Sequence, residues 1–463
     1  MNKANIWIWS FVLAIYLGFG IWSLGFWLGG CASSQQEIVT TTTSTTTTSP
    51  STSTSSTAPT TSTITTTSTT TTTIIYTRGN AITVDSSGNV YIVGITNENL
   101  GAPPAGWDDI FLAKYDQSGV RQWVKQKGTP GQDWPNAVAT DSSGNVFIAG
   151  STNGSLDGKT NAGGGDIFLM KYNSAGDWQW TKLRGTSGND YARGIAVDPS
   201  GNIYLSGTAA SGLDGNPNTG AWGNLFLMKY NSAGGWQWTK ELGTTGGPFV
   251  GGYGVVVDAS GEVYVSGATD GNIFGTSLGG VDYLLVKYGS DGKLLWGTQE
   301  GTSAGEEPFG MAIDKSSGSV YLAGYTSYTG LYGSEDIFLV KYDLSGNRLW
   351  SKELGTDTSD IAFAAAVGES GNIYIAGYTN GNLGGTNSGP PDLFLAKFTP
   401  ASGEVEWIRQ LGTAEFDLST GVAYDPVSGL IYMTGLTEGG LDGADPAHGD
   451  YFLVKYNTSG VKQ

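Results

Sequence analysis

Five carboxylates recur at equivalent places along this chain of 463 residues and could together bind a cation. Each stands eight residues before the start of a short turn, where the chain is expected to enter a β-strand; they are Asp133, Asp190, Glu306, Asp360 and Asp417. If those strands form a ring, the five side chains surround the mouth of its channel. Carboxylate oxygens are preferred ligands of hard cations such as Ca²⁺. The spacing predicts a calcium site, and loop capping or pairing with lysine is the alternative interpretation.

Three tryptophans interrupt the pattern of the chain and are candidates for stacking on a glycan. Trp107, Trp134 and Trp222 fall in loops that are expected on the same face as the five carboxylates. Indole rings offer flat apolar surface to a sugar, and neighbouring carboxylates bond its hydroxyls. We therefore predict a glycan site on this face, with ordinary loop packing as the alternative. Trp178 and Trp236 are expected to cover the outer rim instead.

The residues of a catalytic centre do not stand out in the sequence. His448 is the single histidine, and no G-x-S-x-G nucleophile turn accompanies it. Acidic residues could serve a glycosidase, but no pair of carboxylates is distinguished from the rest. We assign no catalytic residue.

A repeat of seven units must position all of these side chains. It reads roughly V-D-x-S-G-N-V-Y-I-x-G, a loop, D-x-F-L-x-K-Y, then S-G-x-x-x-W. Its aromatic marker stands at Tyr91, Phe147, Tyr204, Tyr264, Tyr321, Tyr374 and Tyr432. Such a period is typical of solenoids and propellers. Each unit holds four short runs, which in the second unit cover residues 131–140, 145–152, 166–172 and 177–183. The prediction is an all-β chain, a seven-bladed β-propeller of four-stranded antiparallel blades.

Three residue types recur in nearly every unit and are expected to build the scaffold. An Asp with Gly three residues later, as at Asp85, predicts a hairpin turn closed by a left-handed glycine. The Trp of the fourth run predicts packing between adjacent blades. The Lys of the third run, as at Lys114, is interpreted as a structural pairing partner because it is present in all seven units.

These units resemble the SBBP family, a seven-bladed β-propeller repeat of secreted and surface proteins of bacteria and archaea. The resemblance covers the chain from about Ile74 to Gln463. It implies a propeller and an extracytoplasmic location, and it implies no established reaction. The chain departs from the pattern at Gly368, which replaces the turn Asp, and at Asn224, which replaces the Asp before the third run.

The N-terminal segment predicts attachment to a membrane. Residues 6–28 are apolar and end in Leu28-Gly29-Gly30-Cys31, which contains the single cysteine. This motif resembles the lipobox of bacterial and archaeal lipoproteins, which implies lipidation at Cys31. The apolar run is also long enough to span a bilayer uncleaved. Residues 1–31 are therefore a signal peptide with a lipobox or a membrane anchor, and both place the remainder outside the cytoplasm.

Residues 32–66 are rich in Thr and Ser and predict a disordered stalk, since they have little apolar surface to bury. The propeller is predicted over residues 67–463. Only six units carry the Trp run, so residues 67–75 are expected to complete the last blade, with a truncated chain as the alternative.

The net charge of −18 makes nucleic acid an unlikely class of partner. The chain is interpreted as a membrane-anchored surface module that binds an extracellular glycan, a cell-wall polymer or a protein. The alternatives are an extracellular polysaccharide hydrolase or lyase and a structural component of the cell envelope.

Overall fold

The computed structural model of the chain describes residues 38–47, 63–72, 76–217, 223–243, 249–327, 335–441 and 449–463. The chain divides into two compact units, Met1–Ile75 and Tyr76–Gln463, and each is considered by itself. Cys31 and the apolar run before it lie outside the described residues.

Within the described ranges, no helix has the length and hydrophobicity needed to cross a lipid bilayer.

The first unit contains an antiparallel pair of strands, β1 (Ile38–Thr47) and β2 (Thr63–Thr72). Ile38 lies opposite Thr72, and Thr47 lies opposite Thr63. A disordered stalk is predicted over residues 32–66, and within that span the structure describes residues 38–47 and 63–66 as paired strand. Threonine is β-branched and favours extended backbone, which the low apolar content of the segment does not reveal. The boundaries of the stalk remain a prediction.

The second unit is a ring of seven antiparallel sheets, and we call these blades 1 to 7. Blades 1 to 3 consist of β3 (Thr77–Val84), β4 (Val90–Thr96), β5 (Asp109–Tyr115), β6 (Arg121–Lys127), β7 (Asp133–Thr140), β8 (Val146–Thr152), β9 (Asp166–Tyr172), β10 (Trp178–Arg184), β11 (Tyr191–Val197), β12 (Ile203–Ala209), β13 (Asn224–Tyr230) and β14 (Trp236–Leu242). Blades 4 to 7 consist of β15 (Val250–Val257), β16 (Val263–Thr269), β17 (Asp282–Tyr288), β18 (Leu294–Glu300), β19 (Gly305–Asp314), β20 (Ser319–Ser327), β21 (Glu335–Asp343), β22 (Arg348–Leu354), β23 (Asp360–Val367), β24 (Ile373–Thr379), β25 (Asp392–Phe398), β26 (Val405–Leu411), β27 (Asp417–Tyr424), β28 (Ile431–Thr437) and β29 (Asp450–Tyr456).

Helical structure in the described residues is limited to short 3₁₀ segments, at Leu156–Gly158, Leu213–Gly215, Glu369–Gly371 and Leu441. The predicted all-β, seven-bladed propeller is confirmed. The four runs predicted in the second unit match the strands of blade 2 to within about two residues.

The seventh blade has three strands among the described residues, β27, β28 and β29. Residues 67–72, which were expected to complete it, are paired with β1 instead, and residues 73–75 are outside the described ranges. A bridge joins Tyr456 to Lys462, in the place where Tyr115 meets Arg121 in blade 1. C-terminal residues therefore enter the position of a fourth strand, since the tight turn after β29 directs the chain back along that strand.

The hydrophobic core is divided among the seven junctions between neighbouring blades. One cluster joins Phe147 and Leu169 of blade 2 to Leu205 and Phe226 of blade 3. At the closing junction, Tyr432 of blade 7 is buried with Ile92 and Phe111 of blade 1. Each sheet therefore buries its faces only against its two neighbours.

The turn between the first two strands of a blade is held by its own aspartate, as the spacing predicted. In blade 1, Asp85 Oδ1 accepts hydrogen bonds from the backbone N–H groups of Ser87 and Asn89, both at 2.9 Å. Gly88 has a φ of 79°, a left-handed conformation that side chains disfavour. The Asp85 carboxylate also accepts a bond from the Tyr91 hydroxyl at 3.1 Å. These contacts account for the motif without a ligand.

The recurring tryptophans pack between adjacent blades, which confirms the prediction. The Trp123 ring lies 6.0 Å from the Tyr91 ring of its own blade. A Cβ atom placed on Gly176, in the last turn of the next blade, would lie 2.9 Å from the same indole. The equivalent pairs are Trp180 with Gly234, Trp238 with Gly292, Trp296 with Gly346, Trp350 with Gly403 and Trp407 with Gly460.

The recurring lysines join the blades through backbone carbonyl groups. Lys114 Nζ donates to the Ser174 carbonyl oxygen of blade 2 at 3.1 Å, and it lies 5.4 Å from the centre of the Tyr91 ring. Lys455 of blade 7 donates to the Ser118 carbonyl oxygen of blade 1 at 3.0 Å, which closes the ring. The structural role predicted for these lysines is confirmed: six of the seven bond a carbonyl oxygen of the next blade, and Lys171 lies 5.2 Å from the centre of the Phe147 ring.

Alanine substitutions at Gly176 and Gly119 should separate backbone strain from packing. Both glycines have left-handed φ angles, 83° and 88°, but no described atom lies within 4 Å of a Cβ atom placed on Gly119. We expect Gly119→Ala to lower the free energy of unfolding by about 1 kcal/mol, and Gly176→Ala to lower it by about 1–3 kcal/mol more, because the methyl group meets Trp123. Urea unfolding of both variants measures the difference, and equal losses would contradict the packing role of the tryptophan.

Candidate functional site

The structure places all five predicted carboxylates at the entrance of the innermost strands. Asp133, Asp360 and Asp417 are the first residues of β7, β23 and β27, Asp190 immediately precedes β11, and Glu306 is the second residue of β19. Their side chains are buried, with at most 3% of their surface exposed. The acids therefore point away from solvent at the mouth of the ring.

Each carboxylate bonds a threonine four residues earlier in its own loop. Asp133 Oδ2 accepts bonds from the backbone N–H of Thr129 at 2.5 Å and from its hydroxyl at 3.0 Å. Asp417 does the same with Thr413, at 2.6 Å and 2.7 Å. The remaining pairs are Asp190 with Thr186, Glu306 with Thr302 and Asp360 with Thr356. The acids thus fix the loops that lead from one blade to the next.

Burial also shifts the pKa of several of these acids. It raises the pKa of Asp133 to about 6, and the charge of Asp109 on the preceding blade adds to the rise. Burial likewise raises the pKa of Asp190, Asp360 and Asp417. Throughout the described part of the chain, no three histidine, cysteine, aspartate or glutamate side chains form a group that could hold a metal ion. Calcium binding by the five acids remains a prediction, and the structure does not bring them together.

Two of the three candidate glycan-binding tryptophans are connected through Asp108, although Trp134 is the second residue of β7 and not a loop residue as predicted. Trp107 precedes β5 and is 49% exposed. Its neighbour Asp108 is buried and accepts a hydrogen bond from Trp134 Nε1 at 3.0 Å, and another from the Tyr76 hydroxyl. We call Tyr76, Trp107, Asp108 and Trp134 the upper cluster. Trp222 is outside the described residues, so its predicted role remains open.

Asp108 gives the upper cluster a fixed geometry. Its carboxylate holds the edges of two aromatic rings, and its backbone carbonyl oxygen accepts the N–H of Asp133 at 2.9 Å. One residue thus connects an exposed loop of blade 1 to the first strand of blade 2. The chemistry available here is stacking of a ligand on the half-exposed indole of Trp107. The Trp134 indole beside Asp108 is held in one orientation by its hydrogen bond to that carboxylate.

A second group of residues, in the wall of the channel, was missed by the sequence analysis. The innermost strand of every blade contains a bulge, where the register shifts against the second strand. In blades 7, 1 and 2 the bulged side chain bonds the next blade: Thr420 to the Gly79 carbonyl oxygen, Asn80 to that of Pro135 and Asn136 to that of Ala192. Blades 3 to 6 carry large side chains instead.

The bulged side chains Arg193, Tyr253, Phe309 and Phe363, together with Glu307 of β19 and Tyr325 of β20, form what we call the channel cluster. Glu307 accepts hydrogen bonds from the hydroxyls of Tyr253 at 2.8 Å and Tyr325 at 3.1 Å. The Arg193 guanidinium lies 4.8 Å from the centre of the Tyr253 ring. Phe309 contacts the rings of Tyr253 and Phe363 at 5.5 Å and 5.4 Å. The group is a packed wall of aromatic rings with one carboxylate and one cation.

Protonation limits the chemistry of the channel cluster. Burial, with a further contribution from the charge of Glu307, raises the pKa of Tyr253 and of Tyr325 well above the ordinary value of tyrosine. Both phenols therefore act as hydrogen-bond donors and not as bases near neutral pH. The signal that could have identified this cluster is the change of residue type, from Asn and Thr to Arg and aromatic, at one position of the repeat.

The opposite face carries a cleft of about 640 Å³ between the turns of blades 6 and 7. It is lined in part by Gly368, Glu369, Tyr424 and Val427. Gly368 replaces the turn Asp because a Cβ atom there would lie 2.5 Å from Tyr374, whose ring stacks on Tyr424 at 6.2 Å. The departure noted in the sequence is thus explained by ring packing.

Three stretches of the chain, residues 75–101, 122–157 and 179–214, match the SBBP β-propeller repeat. The regulatory protein FlaEY of Caulobacter vibrioides is 26% identical over 377 residues, which cover 70% of this chain and 39% of that protein. An uncharacterised WD repeat-containing protein, L264, of Acanthamoeba polyphaga mimivirus is 23% identical over 444 residues, covering 76% of this chain and 30% of that protein. The chain therefore spans well under half of either relative.

Among solved structures, a puromycin hydrolase mutant in complex with PGG is 12% identical, with a TM-score of 0.50. The match covers 83% of this chain and 53% of that one. At this level of identity the likeness concerns the fold alone.

The free energy of unfolding should fall as the pH rises from about 4.5 to about 7. The folded pKa of Asp133, about 6, exceeds the ordinary value of 3.8, so the folded state binds this proton more tightly than the unfolded state. The resulting stabilisation is present in acid and is lost as the pH passes through the folded pKa. Asp133→Asn, which keeps an acceptor oxygen, should show a shallower fall in urea unfolding, and the exposed Asp291→Asn serves as control. Identical pH profiles for Asp133→Asn and the unmodified protein would contradict this account.

Proposed function

This chain carries the SBBP β-propeller repeat, and on that premise we propose that it is a binding or adhesion module for an extracellular glycan or cell-wall polymer, with a surface protein as the alternative ligand. The observation that carries the proposal is the upper cluster. An indole that is 49% exposed stands beside a buried carboxylate that orients a second indole. Exposed aromatic surface in a fixed position is suited to stacking on a sugar ring.

Charge narrows the class of glycan. The net charge of −18 repels polyanions such as uronic acid polymers, and the repulsion is strongest at low salt. A neutral polysaccharide avoids this cost. The ligand we propose for the upper cluster is therefore a neutral glycan.

An extracellular polysaccharide hydrolase or lyase is the second candidate function. The channel cluster favours it, since unique polar residues gathered in one place are typical of catalytic sites. Two features of the cluster weigh towards binding instead. Both oxygens of Glu307 already accept tyrosine hydroxyls, and the two phenols keep their protons. A structural role in the cell envelope is the third candidate, and no contact in the structure favours it.

Membrane anchoring outside the cytoplasm belongs to the same proposal and depends on residues 1–31. The lipobox-like sequence that ends at Cys31 supports a lipid anchor, and the length of the apolar run supports an uncleaved helix. A Cys31→Ser variant distinguishes the two anchors. Loss of both lipid labelling and membrane attachment indicates a lipid anchor, whereas attachment that persists without lipid labelling indicates an uncleaved helix.

Trp107→Ala should weaken binding to a neutral polysaccharide roughly tenfold, because stacking by one indole contributes about 1.4 kcal/mol. Affinity electrophoresis of the full chain in gels containing a soluble β-glucan or a galactomannan measures the effect. Val120→Ala is the matched control, since Val120 is 58% exposed in a turn on the opposite face. Unchanged mobility of Trp107→Ala in every gel that retards the unmodified protein would refute the upper cluster as the glycan site.

A further inference from the structure

Two exposed tryptophans lie on the outer rim of adjacent blades, away from the upper cluster. Trp178 is the first residue of β10 in blade 2, and Trp236 is the first residue of β14 in blade 3. Their side chains are 45% and 40% exposed. We call them the rim pair. The sequence analysis expected these residues to cover the rim, yet nearly half of each side chain remains in contact with solvent.

In blade 2 a closed polar network fixes the orientation of the indole. Trp178 Nε1 donates to the Thr181 hydroxyl at 3.0 Å, and that hydroxyl donates to Asp157. Asp157 forms an ion pair with Lys127 of blade 1. Lys127 Nζ in turn lies 4.2 Å from the centre of the Trp178 ring. Four side chains from two blades therefore hold one exposed ring.

Blade 3 repeats the network with Trp, Thr and Asp at the same places and Arg in place of Lys. Trp236 Nε1 donates to the Thr239 hydroxyl at 3.0 Å, and Thr239 donates to Asp214. Asp214 pairs with Arg184 of blade 2, whose guanidinium lies 4.5 Å from the centre of the Trp236 ring. Because the same network occurs in two neighbouring blades, incidental packing is a poor explanation for the fixed, exposed tryptophans.

A special backbone conformation supports both networks. Asp157 and Asp214 lie in the sequence Leu-Asp-Gly and have φ angles of 53° and 54°, in the left-handed region. Such a conformation costs about 1 kcal/mol or more for a residue other than glycine. The corresponding first residues of the other outer strands are not aromatic: Arg121, Leu294, Arg348 and Val405. The rim pair is thus a local specialisation of two blades.

The networks determine which ligand fits. Each indole N–H already has its partner, so a ligand contributes contact with ring surface and needs no hydrogen-bond acceptor for it. Lys127 and Arg184 beside the rings are paired with Asp157 and Asp214 and leave little net charge there, and the net charge of −18 repels polyanions. The apolar C–H face of a neutral sugar meets both conditions. Because the rings are held in place before binding, little side-chain entropy is lost on contact.

We infer that the rim pair is a second binding surface, on which one chain of a neutral polysaccharide spans blades 2 and 3. A polymer is specified because two equivalent platforms in neighbouring blades present the same chemistry twice, and simultaneous contact raises the affinity above that of either platform. The inference shares its ligand class with the proposed function but depends on different residues, so the two can fail separately.

Affinity electrophoresis of the full chain tests the inference with a soluble β-glucan, a galactomannan and polygalacturonate. Trp178→Ala and Trp236→Ala should each lower the affinity for the neutral polymer roughly tenfold, and the double variant should lower it further. Trp178→Tyr, which keeps a stacking ring, should restore most of the affinity. Leu294→Ala is the matched control, because Leu294 is 41% exposed at the same position of β18. Urea unfolding of each variant confirms that the ring remains folded.

The outcomes distinguish the two surfaces. Loss of affinity in the rim variants but not in Trp107→Ala supports the rim pair and removes the upper cluster. Loss in Trp107→Ala alone overturns the rim inference and leaves the proposed function standing. Three other results would also overturn the rim inference. They are tighter binding to polygalacturonate than to neutral polymers, equal losses of affinity in Leu294→Ala and Trp178→Ala, and binding of a protein but of no glycan.

Discussion

The contact between the outermost strand of one blade and the last turn of the next supports the whole ring. A tryptophan from one blade lies against a glycine of its neighbour, and a lysine from the same blade bonds a carbonyl oxygen of that turn. Neither contact exists within a single blade. A sheet that buries both faces against its neighbours has no stable core alone, so stability arises from repetition around the ring. At the closing junction the lysine bond is present, from Lys455 to the Ser118 carbonyl oxygen, but no described atom lies within 4 Å of a Cβ atom placed on Gly119.

This constraint separates scaffold from surface at the level of single residues. Side chains present in every unit are committed to turns and blade junctions, and the buried acids at the strand entrances follow the same rule. Asp133 and its equivalents are occupied by their own threonines, although their spacing resembles that of a ligand site. Residues that differ from unit to unit are not part of these repeated contacts. They include the bulged side chains of the channel cluster, the upper cluster and the rim pair.

The sequence allowed much of the ring to be predicted, because a period of four short runs and a recurring aromatic marker leave few alternatives. The scaffold roles of Trp123 and Lys114 followed from their presence in nearly every unit. The role of the five acids depends on a hydrogen bond to a threonine four residues earlier, which the G-T-x-x-x-D/E spacing contained but did not make evident. Pairing of residues 63–72 with residues 38–47 lacks any apolar pattern to indicate it.

The channel cluster and the rim networks could not be derived from periodicity, because their contacts join residues of different blades. Glu307 of blade 5 meets Tyr253 of blade 4 across 54 positions of sequence, and Arg184 of blade 2 meets Asp214 of blade 3 across 30. Such distances become contacts only when the rotation between blades and the position of each bulge are known. The sequence indicated at which positions the units differ from one another. The three-dimensional arrangement indicated which of those residues are in contact.

The central claim is that ligands bind where the repeat changes and not at the residues that all blades share. Hydrogen–deuterium exchange of the full chain, with and without a soluble neutral β-glucan, tests it most directly. The account predicts slower exchange confined to peptides that contain Trp107, Trp134, Trp178 or Trp236, with the equivalent peptides of blades 5 and 6 unchanged. Protection of equal size in all seven copies of the repeat, or protection confined to the short turns on the opposite face, would contradict it.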